Sequence, residues 1–198
     1  MKNILKLSLV IGALIVSLNA NASDVDFSLN VTKVEGRTIS FTLNKVQKID
    51  LTLLDQNHQM VYSEHFDNKP VLKRTYNFAH LPNGTYFLEA ETPLKVVNYV
   101  ITVSNDGAEM NKKEVSEMYK PVVAQLNNGL VSVNLLSVDH SPLEVKVYDD
   151  NYNLVYNETL SGGFNLGKRF DFSKSISKDF TFVMSYKDKT FTKNITVK

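Results

Sequence analysis

The chain has 198 residues, no cysteine and a formal net charge of +1. Without thiols it has no disulfides and no cysteine metal centre, so stability must come from packed cores. A balance of 22 basic against 21 acidic residues excludes the basic footprint of a nucleic-acid binder, and no nucleic-acid partner is expected.

The first 22 residues read as a secretory signal peptide: Lys2 and Lys6 at the start, an apolar run over 7–18, then Ala20-Asn21-Ala22 before the cut. The run is too short to span a bilayer, which takes about 20 apolar residues, and no later stretch is long enough. No membrane span is therefore expected after cleavage, and the product would lie in the periplasm, at the cell surface or outside the cell. Removing Lys2 and Lys6 leaves 20 basic and 21 acidic residues, a net charge of −1.

From there, apolar residues alternate with polar ones and helical periodicity is nearly absent. The alternation predicts strands at 26–31, 38–43, 48–54, 60–66, 72–78, 85–91 and 96–103, with Ile39, Phe41 and Leu43 on one face, and Ile49, Leu51 and Leu53 on one face of the next. A second set follows at 122–126, 130–136, 143–148, 154–160, 167–172, 179–186 and 190–197. Between the sets, 105–119 breaks the alternation. Asn105-Asp106-Gly107 is a turn, and the Glu-, Lys- and Met-rich stretch 109–118 is expected as a solvated linker or a short helix.

The two sets are copies. Residues 39–103 and 133–197 align without a gap at a shift of 94 residues. Ile49, Leu51, Leu53, Asp55 and Asn57 return as Leu143, Val145, Val147, Asp149 and Asn151; Val61, Tyr62 and Glu64 return as Val155, Tyr156 and Glu158; Ile101-Thr102-Val103 returns unchanged as Ile195-Thr196-Val197. A period this long is a duplicated domain rather than a solenoid unit of about 20–50 residues. Seven short strands per copy predict an all-β chain of two tandem immunoglobulin-like antiparallel β-sandwiches, over 23–104 and 120–198.

The turns carry the candidate sites. Asp55-Gln56-Asn57-His58-Gln59 and Asp149-Asp150-Asn151-Tyr152-Asn153 each join two strands with side chains that bond their own backbone. Asn127-Asn128-Gly129 is a hairpin signal. In Leu81-Pro82-Asn83-Gly84-Thr85-Tyr86, Pro82 presets a turn and Asn83 or Gly84 can take positive φ, so Pro82, Gly84 and Tyr86 are expected to be structural. Tyr86, at the start of a strand after that turn, is expected to bury its ring and bond its hydroxyl to backbone near 79–82, as a tyrosine corner does. Copy 2 has Phe180 there.

The segment Leu81-Pro82-Asn83-Gly84-Thr85-Tyr86-Phe87-Leu88 resembles the Leu-Pro-x-Gly-x-Tyr-x-Leu motif of the small sorting domains found at the C-termini of type IX secretion cargo in Bacteroidetes. The hairpin from Leu51 through Asp55 to Val61 is similar to the same family's strand-Asp-x-x-Gly-x-x-Val hairpin, with His58 in place of the Gly. Copy 2 is a degenerate match, with Ser175 to Asp179 replacing the Leu-Pro-Asn-Gly turn. The resemblance implies a β-sandwich, a bacterial surface context and contact with a type IX translocon. No cargo domain is expected beside the two copies.

Catalysis is not indicated and no cofactor is implied: His58, His65, His80 and His140 are scattered and form no zinc-helix pair. His65 could share a face with Ser63, without a third member. Asp149-Asp150-Asn151 starts like a calcium loop, but Leu154 and Leu160 stand where Gly and the bidentate Glu are needed. Tyr148, Tyr152 and Tyr156 around one hairpin suit cross-strand packing or a ligand surface. The expected activity is therefore binding or assembly. The interaction loops would be Asp55, Asn57, His58 and Asn83, together with Asp149, Asp150, Asn151 and Tyr152, and the partner a protein or a surface polysaccharide. The alternatives are a sorting-type module and a carbohydrate-binding module.

Overall fold

A computed structural model describes residues 27–111 and 116–197; the expected signal peptide lies outside the described residues. Among those residues every regular element is a strand: β1 Ser28–Glu35, β2 Thr38–Leu54, β3 Met60–Asn77, β4 Gly84–Glu91, β5 Lys95–Val103, β6 Ala108–Met110, β7 Ser116–Tyr119, β8 Val122–Gln125, β9 Leu130–Leu136, β10 Leu143–Tyr148, β11 Leu154–Leu160, β12 Asn165–Asp171, β13 Asp179–Tyr186 and β14 Lys189–Thr196. All pairings are antiparallel.

The second copy shows the sandwich plainly. Three strands in the order β12-β9-β8 face four in the order β11-β10-β13-β14. In the constant-type immunoglobulin order the fourth strand joins the first sheet. Here that strand, β11, pairs with β10 instead, because a five-residue turn at 149–153 returns it directly alongside its predecessor.

The first copy has the same strand neighbours with two boundaries erased. Separate strands were expected at 38–43 and 48–54, and at 60–66 and 72–78. The structure instead runs β2 for 17 residues and β3 for 18, so one long hairpin passes through both layers and joins them in a single seven-stranded sheet. Copy 2 breaks at the matching points because Ser141-Pro142 and Ser161-Gly162-Gly163 interrupt the ladders. Pro has no N–H to donate, and Gly weakens a strand interior. Asn44 to Lys48 in copy 1 holds neither residue, and Pro70 in β3 falls between the Val46–Lys69 and Asn44–Val71 rungs, where the ladder continues past it.

The segment expected as a linker or short helix also differs. Residues 108–110 and 116–119 are strands laid on β5. The edge of β5 is an open row of backbone donors and acceptors, and filling it outweighs the weak helix propensity of a short charged stretch.

Two buried clusters result. One runs from Phe27 to Met110 and includes Ile49, Leu51, Leu88 and Ile101. The other includes Val131, Val145, Phe182 and Ile195, and takes in Val96 and Met118 from the first sandwich's side of the junction. Lys189 Nζ donates to Glu89 Oε1 at 2.7 Å, Lys120 pairs with Glu91, and Lys120 N donates to Leu94 O at 2.8 Å. These contacts tie the start of the second sandwich to the β4–β5 end of the first.

Candidate binding surfaces: end turns and lateral edges

At one end of each sandwich lies the Asp-led turn. Asp55 Oδ1 accepts from Asn57 N at 2.8 Å and from Gln59 N at 2.9 Å; Asp149 Oδ1 accepts from Asn151 N at 2.9 Å and from Asn153 N at 2.8 Å. Each turn closes with two further backbone bonds between the same relative positions, and the fourth residue is left-handed: φ is 58° at His58 and 59° at Tyr152. This geometry explains why the related hairpins carry Gly at that position. Non-Gly residues lose about 1–2 kcal/mol there. His58 stacks on Phe87 with ring centroids 4.9 Å apart, whereas Tyr152 is 85% exposed. Tyr152→Gly is therefore expected to stabilise the second sandwich by about 1 kcal/mol, read as a higher midpoint in urea.

The carboxylate of Asp149 is committed to its own turn. Its second oxygen accepts from Asn153 Nδ2 at 3.1 Å, and these bonds hold its pKa below the usual carboxylate value. Asp150 accepts from Asn151 Nδ2 and Ser177 Oγ at 2.9 and 3.1 Å. Among the described residues no group of three or more His, Asp or Glu is placed to hold a metal ion.

Beside the copy 1 turn sits the 81–84 loop. Tyr86 is buried and its Oη donates to Pro82 O at 2.9 Å. Tyr86→Phe is expected to lower stability by about 1 kcal/mol, measured by thermal denaturation. Arg37 clamps the same loop, with Nη2 donating to Leu81 O at 2.8 Å and to Asn83 Oδ1 at 3.1 Å; Asn83 Nδ2 in turn donates to Asn105 Oδ1 at 2.7 Å. Arg37 lies outside the repeat and outside every motif, so sequence reasoning did not single it out. Copy 2 has Phe180 where Tyr86 stands, and anchors the far end of the equivalent strand instead. There the buried Tyr186 Oη donates to Ser137 Oγ at 3.1 Å and lies 3.2 Å from Asp139 Oδ1.

The lateral side of each sandwich repeats a second constellation. Glu64 on β3 accepts from Tyr76 Oη at 2.8 Å and from Arg74 Nε at 3.1 Å, bridging the two layers. Burial and the Glu64 hydrogen bond raise the Tyr76 pKa well above that of a free phenol. In copy 2, Glu158 accepts from Tyr156 and from Lys168 Nζ, the latter at 2.8 Å. Lys168 lowers the Glu158 pKa and Glu158 raises that of Lys168. In copy 1 a groove of about 490 Å³ runs beside this bridge, lined by Val61, Tyr62, Arg74, Tyr76 and His80 among others. The Tyr62/Tyr156 equivalence was visible in the repeat; its cationic partner was not, because Arg74 and Lys168 differ in type.

The histidine–serine pairing considered from sequence does not form. His65 Nδ1 lies 2.5 Å from Asp50 Oδ1 and Nε2 lies 3.0 Å from Asp67 Oδ2, while the Ser63 hydroxyl pairs with Thr52 Oγ1 at 3.2 Å. Hydrogen bonds to Asp50 and then Asp67 raise the His65 pKa above 6.5. The folded state thus binds the proton more tightly than the unfolded chain. The resulting stabilisation is fully present below about pH 6.5 and is lost as pH rises through the folded pKa. His65→Gln is expected to lower the melting temperature near about pH 6 and to have less effect near about pH 9, checked by melts across that range.

Comparison with known proteins gives a partial match. Residues 34–103 match the model of a family described as the secretion system C-terminal sorting domain, which covers the first sandwich alone. No curated protein matches the chain. Solved structures with similar folds include the BSP domain of a biofilm associated protein, at 16% identity and TM-score 0.31, covering 85% of this chain and 29% of that one. A two-domain fibronectin type III segment of chicken tenascin matches at 7% identity and TM-score 0.30, covering 86% of this chain and 98% of that one. The FN1–FN3 domains of chicken CNTN1 match at 10% identity and TM-score 0.29, covering 86% and 66%. The chain spans under a third of the biofilm associated protein, and with TM-scores near 0.3 none of these likenesses carries an argument about role. The chain is an all-β protein of sandwich modules, the first of which is similar to that sorting-domain family.

Proposed function

We propose that the chain is a non-enzymatic binding and assembly module of the cell envelope or exterior, acting by contact through strand edges and end turns held on two sandwiches. The observation that carries this reading is the duplication of one open edge. β3 at 60–66 and β11 pair on one side only, and both present apolar side chains to solvent. Unpaired edges accept added strands. The Asp-led turns, clamped by their own carboxylates, supply the end surfaces at Asp55, Asn57, His58 and Asn83 and at Asp149, Asp150, Asn151 and Tyr152. A pulldown from the native envelope tests the reading. Recovery of a stoichiometric protein, reduced by Val61→Lys or Val155→Lys, supports it. Equal recovery with wild type and both variants refutes it.

A second reading rests on the family match at 34–103: the first sandwich serves as a sorting unit for a type IX translocon. A reporter placed between residues 22 and 27 tests it. Delivery to the surface or medium of a competent host, and retention in a translocon-deficient one, is the expected result. Periplasmic retention in both removes the sorting role.

A further inference from the structure

The two Asp-led turns treat the ring at their fourth position differently. In copy 1 the turn closes on its own strand: His58 lies flat on Phe87 of β4, with ring centroids 4.9 Å apart and planes 12° from parallel. The shift of 94 residues carries His58 to Tyr152 and Phe87 to Thr181. Copy 2 therefore keeps a ring in the turn and loses the ring beneath it. Tyr152 stands almost wholly exposed, at a left-handed φ that Gly would adopt without penalty.

The surface below Tyr152 changes in the same sense. Across the β13–β14 ladder Asp179 is opposite Thr196, and Thr181 is opposite Asn194. Directly opposed residues share a face. Phe180 and Ile195, which alternate with them, are buried in the core, so these four side chains point outward. In copy 1 the same four places hold Thr85, Thr102, Phe87 and Val100, and Gln56 stands where Asp150 does. The two apolar side chains have become hydrogen-bonding ones, and two uncharged polar ones have become carboxylates. The result is a cleft of about 410 Å³, lined by Asp149, Asp150, Tyr152, Asp179, Thr181 and Asn194 among others.

Its polar groups are held in place from behind. Thr196 Oγ1 donates to Asp179 Oδ1 at 2.5 Å, Thr181 Oγ1 donates to Asn194 Oδ1 at 3.0 Å, and Ser177 Oγ donates to Asp150 Oδ1 at 3.1 Å. Each bond engages one oxygen. Asp179 and Asp150 keep a second oxygen to accept with, and Asn194 keeps an amide N–H pair to donate with. A pyranose fits this combination. Its C–H face packs on an aromatic ring, as Phe87 packs on His58 in copy 1, and its hydroxyls donate to carboxylate oxygens and accept from an amide. Acidic sugars are disfavoured, because their charge would face Asp149, Asp150 and Asp179.

We propose that the cleft beside Tyr152 binds a neutral sugar unit of a polysaccharide, stacked on the Tyr152 ring and hydrogen-bonded by Asp179, Asn194 and Asp150. This rests on the binding reading above and names the ligand of one of its end turns.

The test is titration of the purified, signal-cleaved, isotope-labelled chain with neutral oligosaccharides of glucose, mannose and galactose. Each is taken to about 10 mM, a range that detects weak binding; polygalacturonate and chitosan oligomers are run alongside. At least one neutral series should shift the amides of 149–153, 179–181 and 194–196. Tyr152→Gly should weaken that binding about tenfold or more while raising the urea midpoint, which separates a lost contact from a lost fold. Thr181→Phe, which restores the ring pair of copy 1, should abolish it with the melting temperature intact. Three results overturn the proposal: no neutral oligosaccharide bound, equal affinity in wild type and Tyr152→Gly, or binding confined to polygalacturonate or chitosan, which would make the cleft a charge site. If the titration fails while the pulldown still captures a protein that Val61→Lys or Val155→Lys releases, the binding reading stands without a sugar. If the pulldown fails and the titration succeeds, the chain contacts carbohydrate and not a protein at its edges.

Discussion

Phe182→Ala should unfold the second sandwich about 3–5 kcal/mol more easily and leave the first nearly unmoved. Phe182 is fully buried and meets Phe170 and Phe172 edge-on, with centroids 5.3 and 6.2 Å away. Truncation removes the transfer energy of the ring and leaves a cavity that the two packed aromatic side chains cannot close. For a domain of this size the loss corresponds to roughly 15 °C or more in melting temperature. The equivalent residue in copy 1 is Leu88, also fully buried, and Leu88→Ala should move the first sandwich by about 2–5 kcal/mol. Calorimetry of the two variants should show different transitions displaced. A single transition displaced equally by both would mean that the clusters, which meet at Val96 and Met118, melt as one.

Gly129→Ala should cost the second sandwich about 2–4 kcal/mol. Asn128 and Gly129 have φ of 60° and 73°, as a type I′ hairpin requires at both central positions. A methyl on Gly129 would lie 2.9 Å from both Cα and N of Ser173, backbone atoms that cannot swing aside. Gly129 O also accepts from Phe172 N at 3.0 Å, so any retreat loosens that bond. Gly36→Ala supplies the comparison. Its φ is 54° with nothing within 4 Å of the added carbon, so only the backbone penalty of about 1 kcal/mol should appear. Urea midpoints of the two variants measure the difference between torsion alone and torsion with a clash.

The 94-residue shift carried more information than any single motif. Ile49 and Leu143, Leu51 and Val145, Leu53 and Val147, and Ala90 and Met184 are buried in pairs, because alternation sets which face of a strand turns inward and both copies keep the same register. The Asp-led turns were legible for the same local reason: a carboxylate two residues before a backbone N–H needs no distant partner. What escaped the sequence depends on distant pairing. The fusion of two expected strands into β2 follows from the lack of a Pro or Gly between residues 44 and 48, a signal that gains meaning only once the partner strand is known to continue too. The strands on β5 were hidden because residues 109–118 look polar and their partners, such as Lys95 for Glu117 and Asn98 for Ser116, are not local in sequence. Arg37 was invisible because its clamp joins points more than 40 residues apart.

The path of β7 sets how the two halves respond to load. It runs antiparallel to β5, with Ser116 opposite Asn98 and Tyr119 opposite Lys95, so its last residue lies at the junction with the second sandwich. Tension that draws the sandwiches apart meets the Lys189–Glu89 and Lys120–Glu91 pairs first. It then peels β7 from Tyr119 backward, one rung after another, instead of shearing all rungs together. Four residues of slack, roughly 13 Å at about 3.3 Å each, come free as Met118 is drawn out of the second buried cluster. The connector is therefore expected to yield before the two buried clusters separate fully, at a lower force than shearing β7 along its whole length would need.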